Sequence, residues 1–184
     1  MRELQLVTAD ELMRMPEDNW TYELAQGRLI QMSKPGLRHG LVVMRLCTPL
    51  VRFVEEHALG VVLPQDTGFL LAAKPDTVRG PDVSFITGEH LAAVASVRGF
   101  IPGAPDLAAE VRSPNDRWTQ LVEKATDYIL NGSRLVWLID PDRKLVAEFR
   151  PGSAASTLTT ADVLDGADVV PGFNLPVSRL FDPI

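Results

Sequence analysis

Leu135-Val136-Trp137-Leu138-Ile139 is an unbroken apolar run held between Gly132-Ser133 and Asp140-Pro141-Asp142. A run of this length with turn residues at both ends reads as a strand buried on both faces. Such a strand needs neighbours on either side and a further layer over each face. The chain before it supplies them. Leu107 to Arg112 reads as a second strand. Ser113-Pro114-Asn115-Asp116 is a helix-start cluster, and the helix from about Arg117 to Asn131 carries an apolar stripe of Trp118, Leu121, Val122, Ala125 and Ile129. Asn131-Gly132 stops it. After the buried strand, Asp140 to Lys144 is turn chemistry, and Leu145 to Arg150 folds back as a hairpin. The pattern implies an α/β protein with a mixed β-sheet flanked by helices.

The rest of the chain fits this frame. Thr8-Ala9-Asp10-Glu11 has capping-box spacing and predicts a short helix ending near Pro16. Trp20 to Leu24 leads into Gly27 and an apolar stretch from Leu29 to Met32, a turn into a strand. Leu37 to His57 is helical in pattern, with Pro49 expected to kink or split it. Three strand-like runs follow, at Gly60 to Gln65, Gly68 to Ala72 and Pro81 to Thr87. Residues 88 to 105 read as a short helix and a Gly/Pro-rich loop, and one more strand is expected near Leu158. Repeats, low-complexity tracts and long linkers are absent, so one domain is expected over residues 1–184.

Composition narrows the function classes. One cysteine, Cys47, rules out an internal disulfide, and Met1 to Gln5 lacks the apolar core of a signal peptide. No apolar run approaches the roughly 18 residues of a membrane span, so a cytoplasmic protein is expected. The formal net charge of −6 argues against indiscriminate polyanion binding. It does not exclude a nuclease, because a carboxylate site is negative until its metal arrives.

The chemistry-bearing residues stand out against the apolar strands. Pro81-Asp82 opens one strand, and Glu110 lies near the end of another. Alternation puts Asp106, Ala108, Glu110 and Arg112 on one face, with Leu107, Ala109 and Val111 on the other. Two strand-borne carboxylates brought together repel, and a divalent cation relieves that. Oxygen ligands suit Mg²⁺ or Mn²⁺. Lys124 lies at the edge of the helix stripe, one turn from Tyr128, so its stem can follow the core while its ammonium reaches the strand ends. Glu123 is expected on the other side of that helix. Singly, each residue has an ordinary reading. Asp82 could be a strand-edge residue, Glu110 the partner of Arg112, and Lys124 a solvated lysine. His57 and His90 read as isolated surface or helix-end residues, and Cys47 as a packed one.

The ordered set of Tyr22-Glu23-Leu24, His39-Gly40, Pro81-Asp82-Val83, Pro105 to Pro114, Glu123-Lys124, Tyr128, Gly132, Trp137 to Pro141 and Pro171-Gly172-Phe173 resembles the Uma-two family of restriction-endonuclease-like proteins. The resemblance spans about residues 8 to 181. It implies the restriction-endonuclease-like fold and the PD-(D/E)XK nuclease superfamily, in which an Asp and a Glu bind a divalent metal and a Lys assists the attacking water. Asp82, Glu110 and Lys124 match those roles. Glu23 matches a helix-region Glu that completes the metal site, and His39 a recurring His at the start of the long helix. The superfamily's usual lysine position, two residues after the Glu, holds Arg112 here, while Lys124 stands on the following helix as in the Uma-two pattern. Arg112 cannot act as a base but can grip phosphate with its fork of donors, and His39 is a further phosphate-binding candidate.

The function these residues imply is Mg²⁺- or Mn²⁺-assisted hydrolysis of DNA phosphodiester bonds, on duplex DNA and as a homodimer by family analogy. The alternative is a non-catalytic interaction domain that keeps the fold, which the acidic net charge favours and the joint presence of Asp82, Glu110 and Lys124 disfavours.

Overall fold

The structure is a computed structural model in which residues 6–16, 20–32 and 34–183 are described. Thr8 caps α1 (Ala9–Met13) in the manner its spacing predicts. Its hydroxyl accepts from the Glu11 amide, and the Glu11 carboxylate accepts the Thr8 N–H at 2.8 Å. The chain then makes a hairpin of β1 (Thr21–Ala25) and β2 (Arg28–Met32). The connection is Gln26-Gly27, with φ of 50° and 73°, the two-residue turn whose twist suits paired strands. α2 (Leu37–Glu56) follows as one helix that Pro49 does not split. Pro49 lies on the side away from the core, where solvent can bond the carbonyl that the proline ring leaves free.

Next come β3 (Gly60–Pro64), β4 (Phe69–Ala72), β5 (Thr77–Arg79), β6 (Val83–Thr87), α3 (Gly88–Val94), β7 (Ile101–Pro102), β8 (Leu107–Val111) and α4 (Trp118–Leu130). After α4 the chain forms β9 (Leu135–Asp140), β10 (Leu145–Phe149), β11 (Ser156–Leu158), β12 (Val163–Asp165) and β13 (Asn174–Pro176), then a 3₁₀ turn over Val177–Phe181.

The central sheet has six strands in the order β11-β10-β9-β8-β6-β3. β8 and β9 are parallel, as a strand–helix–strand connection requires, and the other pairs in this sheet are antiparallel. All six residues of β9 are buried, in agreement with the two-faced strand expected from sequence. One face packs α2 through Val42, Leu46, Leu50 and Val54, together with the C-terminal segment. The other packs α4 through Leu121, Ala125 and Tyr128. A second sheet, β2-β1-β5-β4-β7, adjoins the α4 side through Phe69 and Leu71.

Three local expectations change. Thr21–Ala25 forms a strand, so Glu23 stands on β1 and not in a helix region. Tyr22 and Leu24 flank it with the period of two that a hairpin needs. β5 was hidden by its length of three residues between Asp76 and Gly80. The tail holds β12 and β13 besides the strand near Leu158. Among the described residues, no helix is long and apolar enough to cross a membrane.

Leu50 is fully buried where α2 meets the sheet. Leu50→Ala is expected to lower the unfolding free energy by about 2–5 kcal/mol, read as a lower urea midpoint at unchanged slope. A loss below about 1 kcal/mol would mean that α2 does not pack there.

Candidate active site

Strand pairing places the two carboxylates. β6 and β8 run antiparallel with Phe85 opposite Leu107, Ser84 opposite Ala108, and Val83 opposite Ala109. One further step in that register sets Asp82 across from Glu110. Ala108 belongs to the core on the α4 side and Leu107, Ala109 and Val111 to the core on the α2 side, so alternation puts Glu110 toward α4. Both carboxylates are nearly inaccessible, Asp82 at 4% and Glu110 at 5% exposure. They sit in a cleft of about 360 Å³ that His39, Ser113, Asn115 and Lys124 also line.

Asp82 is held through one oxygen. Its Oδ2 accepts from the Val111 amide at 2.7 Å and lies 3.1 Å from His39 Nε2. Among the described residues no hydrogen bond reaches Oδ1, which leaves that oxygen for another partner. The His39 ring is buried, and its Nδ1 has no partner among the described residues. Burial favours the neutral ring, but the bond and charge of Asp82 outweigh it and raise the His39 pKa.

Glu110 is the electrostatic centre. Tyr128 donates to its Oε1 at 2.8 Å, and Lys124 Nζ stands 3.2 Å from each of its oxygens. Burial raises its pKa to about 7. The Lys124 charge opposes that rise, while the nearby negative charges of Asp82 and Glu23 add to it. Lys124 lies 2.9 Å from Glu23 Oε1, so one ammonium is shared by two carboxylates. Burial works against that charge, but Glu110 and Glu23 together raise its pKa, and Lys124 is a cation at neutral pH. Burial and the same two carboxylates raise the Tyr128 pKa, so its hydroxyl remains a donor.

Glu23 lies beneath the cleft, 1% exposed, with both oxygens engaged. Oε2 accepts from Arg79 at 2.9 Å, while Oε1 accepts from the Gly80 amide at 3.1 Å and meets Lys124. Burial penalises the Glu23 charge, yet Lys124 and Arg79 hold its pKa below the ordinary range.

Of the residues expected from sequence, the structure therefore gathers Asp82, Glu110, Lys124, Glu23 and His39. Arg112 is not among the residues lining the cleft. β8 ends at Val111, so strand alternation no longer governs the next residue. Arg112 bonds Asp140 at 3.2 Å and the Asp116 carbonyl at 3.3 Å instead of Glu110. Glu123 is exposed at the rim of the same cleft, not on the far side of the helix. His90 is not isolated, since its Nδ1 lies 3.0 Å from Asp106 Oδ2. Two contacts escaped the sequence reading, Tyr128 on Glu110 and Arg79 on Glu23. Tyr128 was findable, four residues after Lys124 and so on the same helix face.

The donor set suits a hard divalent ion. Among the described residues, no three His, Cys, Asp or Glu side chains converge to hold one by themselves. The adjacent pair Asp82 and Glu110 does offer carboxylate oxygens with an excess of buried negative charge. Mg²⁺ is commonly held by one or two carboxylates, with water and phosphate completing its shell. Asp82 and Glu110 fit that pattern. Glu23, saturated by two cations and an amide, does not.

Comparison with known proteins bears on this arrangement. The family model described as Uma2, "Putative restriction endonuclease", matches residues 9–178. The chain belongs to the Uma2 family. A solved structure from Anabaena variabilis, described as "a putative nuclease belonging to DUF820", is similar over 95% of this chain and 97% of its own, with a TM-score of 0.82 and 21% identity. At that identity the likeness establishes the fold, which is the restriction-endonuclease-like one that the sequence resemblance implied. No curated protein matches this Uma2 chain.

The Glu110 shift carries a stability consequence with a definite sign. The folded state holds this proton more tightly than the unfolded chain, so the associated stability is complete below pH 4.5 and is lost as pH rises through about 7. Glu110→Gln cannot titrate. In chelator, the variant is expected to gain on the parent from pH 5 to pH 8, by up to about 3 kcal/mol. Urea unfolding across that range checks this, and a constant difference would mean that Glu110 does not titrate there.

Proposed function

We propose that this Uma2 protein is a metal-dependent endonuclease that hydrolyses phosphodiester bonds of DNA. The observation that carries the reading is the shared lysine: Lys124 stands between Glu110 and Glu23 beside the paired carboxylates Asp82 and Glu110. A purely structural cleft gains nothing from a buried acid pair in which burial first, and then the charges of Asp82 and Glu23, hold Glu110 up to about pKa 7. Family membership supports the nuclease class.

Asp82 and Glu110 would hold Mg²⁺ or Mn²⁺. When bound, such an ion polarises the phosphate and lowers the pKa of a coordinated water. The protein's own groups do the rest. The Val111 amide and His39 fix Asp82 Oδ2, which orients the carboxylate. Tyr128 fixes Glu110 from below. Lys124, charged because its pKa is raised, orients a water or a phosphate oxygen and stabilises charge as it builds on phosphorus. It does not act as a base. Glu23 holds the ammonium in place. Arg112, already engaged by Asp140, is left out of phosphate recognition, whereas His39 lines the cleft and can meet a phosphate oxygen. A duplex has two strands to cut, and a homodimer would present one such cleft to each.

The net charge of −6 favours a rival reading, a domain that binds a partner without catalysis. Calorimetric titration with Mn²⁺ and a plasmid cleavage assay separate the two. Asp82→Asn and Glu110→Gln are each expected to abolish Mn²⁺ binding and cleavage, with the fold retained. Parent-like Mn²⁺ affinity in both variants would move the metal elsewhere, and a parent that binds Mn²⁺ but cuts neither DNA nor RNA would favour the rival. Arg112→Lys is expected to lower the melting temperature and leave DNA affinity within about twofold, measured by anisotropy in Ca²⁺ at fixed salt. A tenfold loss, about 1.4 kcal/mol, would return Arg112 to the phosphate.

A further inference from the structure

Arg79 is the least accessible cation near the cleft, 4% exposed on the three-residue strand β5. Its guanidinium lies between two carboxylates from different elements. Nη1 donates to Glu23 Oε2 at 2.9 Å, and Nε and Nη2 donate to Asp127 Oδ2 at 3.1 and 2.7 Å. Glu23 meets Lys124 through its other oxygen. Asp127 is on α4, three residues after Lys124, so Arg79 grips both the carboxylate that holds the lysine and the helix turn that carries it.

We propose that Arg79 is a positioning residue for Lys124. The physical argument is a division of charge. Glu23 is buried and ionised. If the ammonium were its sole cation, Lys124 would be drawn fully onto Glu23 and away from Glu110. With Arg79 and the Gly80 amide carrying part of that charge, Lys124 is shared, at 2.9 Å from Glu23 and 3.2 Å from Glu110. The planar fork meets its two carboxylates through different nitrogens, Nη1 for Glu23 and Nε with Nη2 for Asp127. A lysine at this position supplies the charge from a single nitrogen and cannot reproduce the paired bonds to Asp127 together with the separate bond to Glu23. A buried guanidinium is expensive to desolvate and is held here only by its partners. Its position is therefore fixed by the two carboxylates it joins.

The kinetic arm of the test rests on the nuclease reading, and the spectroscopic arm does not. The chain has four lysines, so the ε-ammonium signals of ¹⁵N-labelled protein are few, and Lys124 is assigned by the signal lost in Lys124→Met. The parent is expected to show a slowly exchanging Lys124 ammonium. In Arg79→Lys, which keeps charge but not the fork, that signal is expected to shift or broaden. Mn²⁺-dependent kcat should fall at least tenfold, while KM for DNA and Mn²⁺ affinity change less than threefold. In a Lys124→Met background, Arg79→Lys should have no further effect on kcat. Asp127→Asn, which removes only the outer, partly exposed anchor, should move the Lys124 signal in the same direction by less, and it decides the question if Arg79 variants do not fold. A lower melting temperature with an unchanged Lys124 signal and kcat would overturn the proposal and leave Arg79 as a fold contact. If the parent cuts no nucleic acid, the nuclease reading fails and the ammonium signal alone still decides the role of Arg79.

Discussion

The burial of Glu110 organises the neighbourhood around it. A carboxylate set among Ala108, Ala109 and Val111 in the centre of a six-stranded sheet has lost its water, and an ionised group in that position is costly unless charge and hydrogen bonds replace the solvent. Tyr128 and Lys124 supply them from α4, and the same lysine answers the second buried carboxylate, Glu23, from β1. The compensation is incomplete, since Asp82 adds its own charge across the β6–β8 pair. This leaves negative charge in the cleft. On the nuclease reading, such charge would repel a simple anion, attract a divalent cation, and admit a phosphate in the company of one.

The network also ties together parts of the fold that share little apolar contact at the cleft. Glu23 and Arg79 stand on the smaller sheet, Glu110 on the larger, and Lys124 and Asp127 on the helix against both. Apolar packing sets the layers and ion pairs set the details. Packing of α4 on the sheet through Leu121, Ala125 and Tyr128 fixes the helix to within a side chain. The bonds among Asp127, Arg79, Glu23, Lys124 and Glu110 then fix where one ammonium ends.

The large-scale architecture was readable in the sequence because it follows from local patterns. The apolar run at 135–139, the stripe on α4 and the capping box at Thr8 each encode their element within a few residues. Asp82, Glu110 and Lys124 were readable too, as polar residues where the pattern called for apolar or edge positions. What escaped was non-local. Arg79 lies in a strand too short to show a period, and its partners are 56 and 48 residues away in sequence. Arg112 was misplaced because alternation was carried one residue past the end of β8, where the chain turns and Asp140 takes over. The helix region for Glu23 came from the resemblance alone, whereas the local sequence forms β1 of a hairpin.

The division between the two sheets has a consequence for how such a protein diversifies. The acid pair stands on β8 and at the start of β6, whose remaining side chains are locked in the core. One wall of the cleft is instead Ile30, Gln31 and Met32 of β2, the edge strand of the smaller sheet, whose outer side pairs with nothing among the described residues. Substitutions on that wall change the surface offered to an entering molecule without disturbing the packing that positions the carboxylates. On the nuclease reading, selectivity and chemistry would then reside on separate supports, the first free to drift under selection while the second stays fixed.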